Sequence, residues 1–267
     1  MFPDLTDVRV LLGKLPFVED VRDLVYANYR LPDGLPPMPD RFGHETLLPP
    51  DGWSVLGNGP DSSVAPDFPG VGDCVFAGGA HETMLWNAAA GSPVSFASRE
   101  VLADYAAVTG YDPAVAGSNP GTWTRTALEY RRTTGLLDAE GKRHRIAAYA
   151  LLEAGNAEQI LEALWLFGAV GLGIRFPASA MDQFNRRVPW SVVPGDTTKG
   201  GHYVSLVARR ENLVCVSWGR LQEMTVEFLR EYNDEAWALL SEEWLKDGRS
   251  PEGFDLAALR GDLSALS

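Results

Sequence analysis

The feature that most constrains the fold is a glycine-rich approach to a cysteine. Gly-Val-Gly at residues 70–72 leads to Asp73 and Cys74, and no helix breaker follows between residues 80 and 90. Asp73 is a residue type that caps helices, so the pattern predicts a helix that begins at Cys74. Unpaired backbone N–H groups and the dipole at that helix end favour a thiolate, the reactive form of cysteine. The charge of Asp73 would act in the opposite direction, because it would raise the thiol pKa.

Two interpretations of Cys74 are open at this point. The neighbouring glycines would let another segment approach closely, as a substrate backbone would need, and Cys74 would then be a nucleophile. Alternatively, Cys74 is a small hydrophobic residue buried near a helix start, as free cysteines often are. The only other cysteine is Cys215, so the sequence predicts no disulfide framework.

Composition excludes several classes of function. The net charge of −13 argues against a nucleic-acid partner and mildly favours basic over acidic peptides. No apolar run approaches the roughly 20 residues that cross a bilayer, and the start lacks the pattern of a signal peptide. No Cys/His cluster has zinc spacing, and the glycines of residues 168–173 lack the context of a nucleotide loop. We therefore expect no metal, cofactor or membrane partner, and a cytoplasmic or particle-associated protein.

The chain divides into four segments. A proline-rich arm at residues 1–60 is expected to wrap over a core formed by a helical lobe (61–168) and a strand-rich lobe (169–246), before a polar tail (247–267). Helices first and strands second, sharing one cleft, predict an α+β fold. Helices are predicted at residues 74–90, 98–109, 122–134, 157–167, 177–184, 224–232 and 254–259, and strands at 170–176, 203–208, 213–217 and 235–240.

A base that could partner Cys74 must come from four histidines. His81 lies seven positions along the same helix, roughly 10 Å away at 1.5 Å per residue, which is too far for a direct ion pair. His144 sits in a basic run expected to be solvated, and His44 lies in the arm without supporting context. His202 follows two glycines and opens an apolar strand, so its imidazole would border a cleft. Position favours His202, although a structural histidine would also fit there.

Several motifs resemble the papain-like cysteine peptidase superfamily. A Cys at a helix start is followed by Gly-Gly-His at residues 200–202 and by Ser-Trp-Gly at 217–219. More narrowly, the chain looks like uncharacterised papain-like proteins encoded by bacteria and phages. These carry Leu-Gly-Lys-Leu-Pro near the start, here residues 12–16, then Gly-Asp-Cys, Gly-Gly-His and a Trp-Gly strand followed by Met-Thr and an aromatic residue. The resemblance spans roughly residues 11–245, and the order of the motifs carries it.

The resemblance implies a helical N-terminal lobe packed against a C-terminal antiparallel sheet lobe. Cys74 would be the nucleophile, and His202 the base that forms a thiolate–imidazolium pair with it. A peptide or protein substrate would be cleaved at an amide bond through an acyl-enzyme that water resolves. Trp218 would shield the pair from water, and Gly201 would border the cleft.

Two positions depart from the superfamily pattern. The orienting Asn falls on Val216, so Ser217 or a backbone carbonyl would have to hold His202. The Gln that donates to the oxyanion is missing, since residues 67–70 read Asp-Phe-Pro-Gly. Asn58 and the Cys74 backbone N–H are the remaining donors, and Asp73 would lie beside them.

These departures leave two functions in view. One is a papain-like thiol hydrolase. The other is a catalytically weak or inactive papain-like fold that serves as a structural or interaction component, for example of a phage particle. The sequence leaves open the substrate, the oligomeric state and whether the arm covers the cleft as an inhibitory segment would.

Overall fold

The computed structural model describes residues 12–30, 37–58, 70–115, 117–245 and 254–265. The helices are α1 Cys74–Ala89, α2 Ser98–Thr109, α3 Thr124–Thr133, α4 Ala157–Phe167, α5 Ala178–Asn185, α6 Val226–Tyr232 and α7 Leu256–Ala265, preceded by a 3-10 turn at Tyr26–Tyr29. The strands are β1 Phe42–Gly43, β2 Leu136–Leu137, β3 Arg143–His144, β4 Ile146–Leu152, β5 Val170–Pro177, β6 Thr198–Arg209, β7 Leu213–Ser217, β8 Arg220–Met224 and β9 Asn233–Ser241.

A seven-stranded sheet forms the C-terminal half. Its order is β4-β9-β5-β6-β7-β8, with β1 paired to β6 off this path, and neighbouring strands run antiparallel. β2 and β3 form a separate antiparallel pair. The helices of the first half, α1 to α3, precede most of this sheet, so the predicted α+β layout is confirmed. None of the described helices has the length and apolar character needed to span a membrane.

Helix ends show where the sequence pattern succeeds and where it fails. The Asn156 side chain accepts a hydrogen bond from the Gln159 N–H (3.1 Å) and so caps α4, which begins at the predicted residue. Thr122 does not cap α3, because its backbone hydrogen-bonds to the N-terminal arm instead and the helix begins two residues later. Asp73 precedes α1 without making a side-chain capping bond.

The sheet begins earlier in the chain than the sequence indicates. β4 lies within the segment assigned to the helical lobe, yet it pairs along its length with β9. Its sequence, Ile-Ala-Ala-Tyr-Ala-Leu-Leu, has no polar alternation because most of its side chains are buried. β8 was also not predicted, since Arg-Leu-Gln-Glu-Met has no strand propensity of its own. β4 and β8 are strands because they pair with β9 and β7, and not because of their own sequences.

The environment of His144 differs from the one that the sequence predicts. The basic run predicts a solvated face, but only 3% of the surface of His144 is exposed. Its Nε2 lies 2.9 Å from an oxygen of Asp138, and its Nδ1 lies 3.0 Å from an oxygen of Glu243. These carboxyl groups, Glu243 first, raise the pKa of His144. Glu243 is therefore part of a largely buried cluster with His144 and Asp138.

α1 is buried almost along its whole length and rests against β6. Gly78 makes this approach possible, because a Cβ atom there would lie 2.5 Å from the ring of Tyr203. One turn later, Glu82 is fully buried and accepts hydrogen bonds from the hydroxyls of Tyr203 (2.8 Å) and Ser205 (3.1 Å). Its other oxygen pairs with Arg131 of α3 at 2.6 Å. This buried network fixes α1, and hence Cys74, relative to the strand that carries His202.

Candidate active site

Cys74 is the first residue of α1 and is 1% exposed. Burial raises the pKa of its thiol to about 11, and the charge of Asp73 acts in the same direction. Backbone hydrogen bonds from Tyr203 and Gly13 to the sulfur, together with the charge of Lys14, act in the opposite direction without offsetting the burial. The thiol is therefore protonated at neutral pH while the site is closed.

His202 lies on β6 and is 1% exposed. Its Nε2 is hydrogen-bonded to the Ser217 hydroxyl at 2.9 Å, whereas its Nδ1 has no partner within the described residues. The Trp218 ring stacks on the imidazole, with centroids 4.3 Å apart and planes at 13°, and Phe176 packs edge-on at 5.5 Å. Burial lowers the pKa of His202 to about 3, so the imidazole is neutral at pH 7.

The sulfur and the imidazole border one small space between α1 and the sheet. Cys74 and His202 line one cavity of about 10 Å³, close to the space that a single water needs. Asn58, Ser217 and Trp218 line the same cavity. The structure thus brings together five of the residues singled out from the sequence, although their catalytic roles stay a prediction.

Asp73 is buried beside Asn58 at the start of α1. It is fully buried, and neither of its carboxyl oxygens has a hydrogen-bond partner within the described residues. Burial raises the pKa of Asp73 well above its usual range, so its charge opposes the thiolate less than the sequence implied. Asn58 donates its amide to the Val71 carbonyl (3.3 Å). The first three residues of the predicted oxyanion segment, 67–69, lie outside the described residues.

Residues 12–15 of the arm form a strand-like segment across the cleft. The Lys14 N–H donates to the Gly201 carbonyl at 3.0 Å, immediately before His202 in the chain. On the other side, the Thr122 N–H donates to the Gly13 carbonyl (2.8 Å), and the Leu15 N–H donates to the Thr122 carbonyl (3.0 Å). The arm therefore bridges the two halves beside Cys74, whose sulfur accepts a hydrogen bond from the Gly13 N–H.

Glycines make this close passage of the arm possible. A Cβ atom on Gly13 would overlap the backbone of Gly72, and one on Gly201 would overlap the Lys14 carbonyl. The sequence indicated that glycines near Cys74 admit another segment. In this structure that segment is the chain's own arm. The Gly201 carbonyl accepts a hydrogen bond from the arm, at the Lys14 N–H.

Ser217 makes the hydrogen bond to His202 that the superfamily pattern assigns to the missing Asn. Val216 cannot hydrogen-bond an imidazole, but the next residue ends β7 and places its hydroxyl on His202 Nε2. Trp218 follows with a φ of 45°, in the left-handed region, and this turn places its ring over the imidazole. This hydrogen bond is the contact that the sequence analysis expects of Ser217, and its role in orienting His202 stays a prediction.

We expect Ser217→Ala to lower kcat for hydrolysis of a peptide amide by about 10- to 100-fold, because the imidazole loses the partner that sets its tautomer and orientation. KM should change little, since the Ser217 hydroxyl is buried against His202. Ser217→Thr, which keeps a hydroxyl, should recover most of kcat, and Ser264→Ala on the surface of α7 should match the wild type. An unchanged kcat for Ser217→Ala would contradict the assignment.

Sequence reasoning missed Gly13, Lys14 and Glu82. The first two lie within the Leu-Gly-Lys-Leu-Pro motif, which served only to support a resemblance. A lysine flanked by apolar residues in a proline-rich arm is a signal for a buried cation. Glu82, in the middle of an apolar helix, is a matching signal for a buried anion.

Comparison with known proteins places the fold. No family model matches the chain, and no curated protein matches its sequence. The structure is similar to xylellain, a cysteine protease from Xylella fastidiosa, at 14% identity and a TM-score of 0.63, covering 87% of this chain and 97% of that chain. It is also similar to procathepsin B from Trypanosoma congolense, at 12% identity and a TM-score of 0.57, covering 88% and 87% of the two chains.

A third similar structure comprises the cysteine protease and lectin-like domains of Cwp84, a surface layer associated protein of Clostridium difficile. Its identity is 12% and its TM-score 0.59, over 88% of this chain and 56% of that chain. These neighbours confirm that the fold is the one shared by papain-like cysteine proteases. At these identities the similarity concerns the fold alone.

Proposed function

We propose that this chain is a papain-like thiol hydrolase that cleaves a peptide or another amide bond, with Cys74 as nucleophile and His202 as base. The observation that carries the proposal is the shared cavity of the two side chains, one at a helix start and one on the facing strand. Ser217 holds one imidazole nitrogen and leaves the other without a partner within the described residues.

The free nitrogen defines the proton path. Once the cleft opens, His202 Nδ1 takes the proton from the Cys74 sulfur, and the helix N-terminus stabilises the thiolate. The thiolate attacks the carbonyl carbon of the substrate amide, and the imidazolium returns the proton to the leaving amine. Water, deprotonated by His202, then adds to the thioester and releases the acid. The Cys74 backbone N–H is the oxyanion donor that the described residues offer.

The closed structure corresponds to a resting state of this machinery. Burial raises the pKa of Cys74 and lowers that of His202, so both groups are uncharged at neutral pH. The arm lies against the thiol, because its backbone spans the gap between Thr122 and Gly201 and Gly13 hydrogen-bonds to the Cys74 sulfur. Displacement of the arm is therefore a precondition for the proton transfer.

The proposal is tested by turnover and by trapping. The full chain and its Gly13→Ala variant are incubated with a fluorogenic peptide-amide library at pH 6–8, then quenched in acid for mass spectrometry. We expect hydrolysis and an acyl group on Cys74, both lost in Cys74→Ala and His202→Ala. Absence of turnover and adduct in both chains would overturn the proposal.

A second function is favoured by the burial of Cys74 and His202, each 1% exposed, and by Val216. The chain would then be a papain-like fold without activity that serves as a structural or interaction component, for instance of a phage particle. The motif resemblance to bacterial and phage-borne proteins supports this candidate, and the protein would then act in the cytoplasm or in a virion. Iodoacetamide separates the two: an active pair in the opened chain is modified near pH 6, whereas a structural thiol reacts near pH 8.5 or not at all.

A further inference from the structure

The side chain of Lys14 is held in an acidic pocket beside the cleft. It is completely buried, and its ammonium group lies 3.0 Å from an oxygen of Asp234 and 2.9 Å from an oxygen of Glu235. It also donates to the carbonyl of Leu15 (3.1 Å). A lysine is rarely buried to this extent without such partners.

The protein core positions the Glu235 carboxyl independently of Lys14. One oxygen accepts a hydrogen bond from the Thr124 hydroxyl (2.7 Å), and the other accepts one from the Trp237 indole (2.9 Å). Gly173 forms a wall of the pocket, since a Cβ atom there would lie 2.6 Å from Lys14 Cε. The pocket is therefore built by the sheet and by α3, and the arm only fills it.

The pocket also lies where a bound peptide would place a side chain. The backbone of Lys14 pairs with Gly201, the neighbour of His202, and Gly13 hydrogen-bonds to the Cys74 sulfur. A chain that lies over the catalytic pair therefore directs one side chain between Asp234 and Glu235. Asp234 Oδ1 has no partner within the described part of the chain, which leaves an acceptor for a second N–H group.

We propose that Asp234 and Glu235 form a specificity pocket for a lysine or arginine side chain of a peptide bound in the cleft, and that Lys14 occupies it in the resting state. This inference rests on the proposed function, whose substrate class it names. Withdrawal of Lys14 leaves two carboxyl groups in a largely buried site without a cation. A basic side chain restores the pairing, and an uncharged one of the same length does not.

The test measures binding without chemistry. The full chain carrying Cys74→Ala, Gly13→Ala and Lys14→Ala is titrated with the synthetic peptide Leu-Gly-Lys-Leu-Pro-Phe, the sequence of residues 12–17, and with its norleucine analogue. We expect Kd to be at least about tenfold lower for the lysine peptide. Adding Asp234→Asn should make the difference in Kd smaller, because the lysine side chain loses one of its two carboxylate partners. The difference should not vanish, because Glu235 retains its contacts with Thr124 and Trp237.

Equal affinities for the two peptides would overturn the inference, and so would failure of both to bind. Circular dichroism and Tm establish that the variant is folded. If it is not, the chain carrying Cys74→Ala and Lys14→Ala, which keeps Gly13, is titrated in the same way. The variant lacks the nucleophile, so its preference for lysine is measured independently of catalysis. A lysine preference without turnover would contradict the proposed function alone. Turnover without a lysine preference would contradict this inference alone.

Discussion

Replacing Arg131 by methionine is expected to lower the free energy of unfolding at pH 7 by about 3–5 kcal/mol. The Arg131 guanidinium is 2.6 Å from the Glu82 carboxylate, and both side chains are almost completely buried. Methionine fills a similar volume but leaves the Glu82 charge without a counter-ion in the core. The hydroxyls of Tyr203 and Ser205 remain as donors, and two neutral hydrogen bonds do not replace a buried cation.

Urea denaturation with linear extrapolation measures this effect. The Glu82→Gln/Arg131→Met double variant should recover much of the loss, because no charge is then left unpaired. Arg186→Met is the matched control, since Arg186 pairs with Asp182 on the surface, where both side chains are about two-thirds exposed. That change should cost less than about 1 kcal/mol. A similar cost for the two single variants would contradict a special role for the buried pair.

Local chemistry made much of this fold predictable. α2 and α4 have the predicted bounds because caps and apolar stripes are properties of the helix itself. β7 likewise begins at Leu213 and ends at Ser217, as its apolar run predicts. β4 escaped prediction because its alanines carry no strand preference, and its pairing with β9 bridges more than eighty positions of sequence.

The candidate site shows the same contrast between features set by local sequence and features set by distant contacts. Cys74 and His202 could be selected from the sequence because a helix start and a Gly-Gly-His before an apolar run are local signals. The strand itself starts earlier than predicted, at Thr198, so His202 lies inside β6. Their protonation states could not be predicted, since burial in the folded chain raises the pKa of Cys74 and lowers that of His202. The capping role of Asp73 was wrong for a similar reason: tertiary packing buries its carboxyl without a partner within the described residues. Contacts made across the whole chain decide each of these outcomes.

Gly13→Ala should increase the rate at which iodoacetamide modifies Cys74 at pH 7 by about a hundredfold. A Cβ atom at position 13 would overlap backbone atoms of Gly72, and no side-chain rotation relieves that overlap, so the arm must move. The sulfur then regains contact with water. If the thiol pKa falls from about 11 toward its ordinary value of 9.0, the thiolate fraction at pH 7 grows by two powers of ten. The ratio of the variant rate to the wild-type rate should be largest below pH 9. Above that pH the variant thiol is already ionised, and the wild-type thiol begins to ionise as well.

Mass spectrometry of the modified chain identifies the labelled residue and supplies an internal control. Cys215 is fully buried in β7, and burial raises the pKa of its thiol even further than that of Cys74. Gly261→Ala is the matched substitution, since a Cβ atom there meets no atom within 4 Å, and it should leave the rate unchanged. Equal modification of both cysteines in Gly13→Ala would indicate general opening of the fold. A rate equal to that of the wild type would show that the arm does not limit access to Cys74.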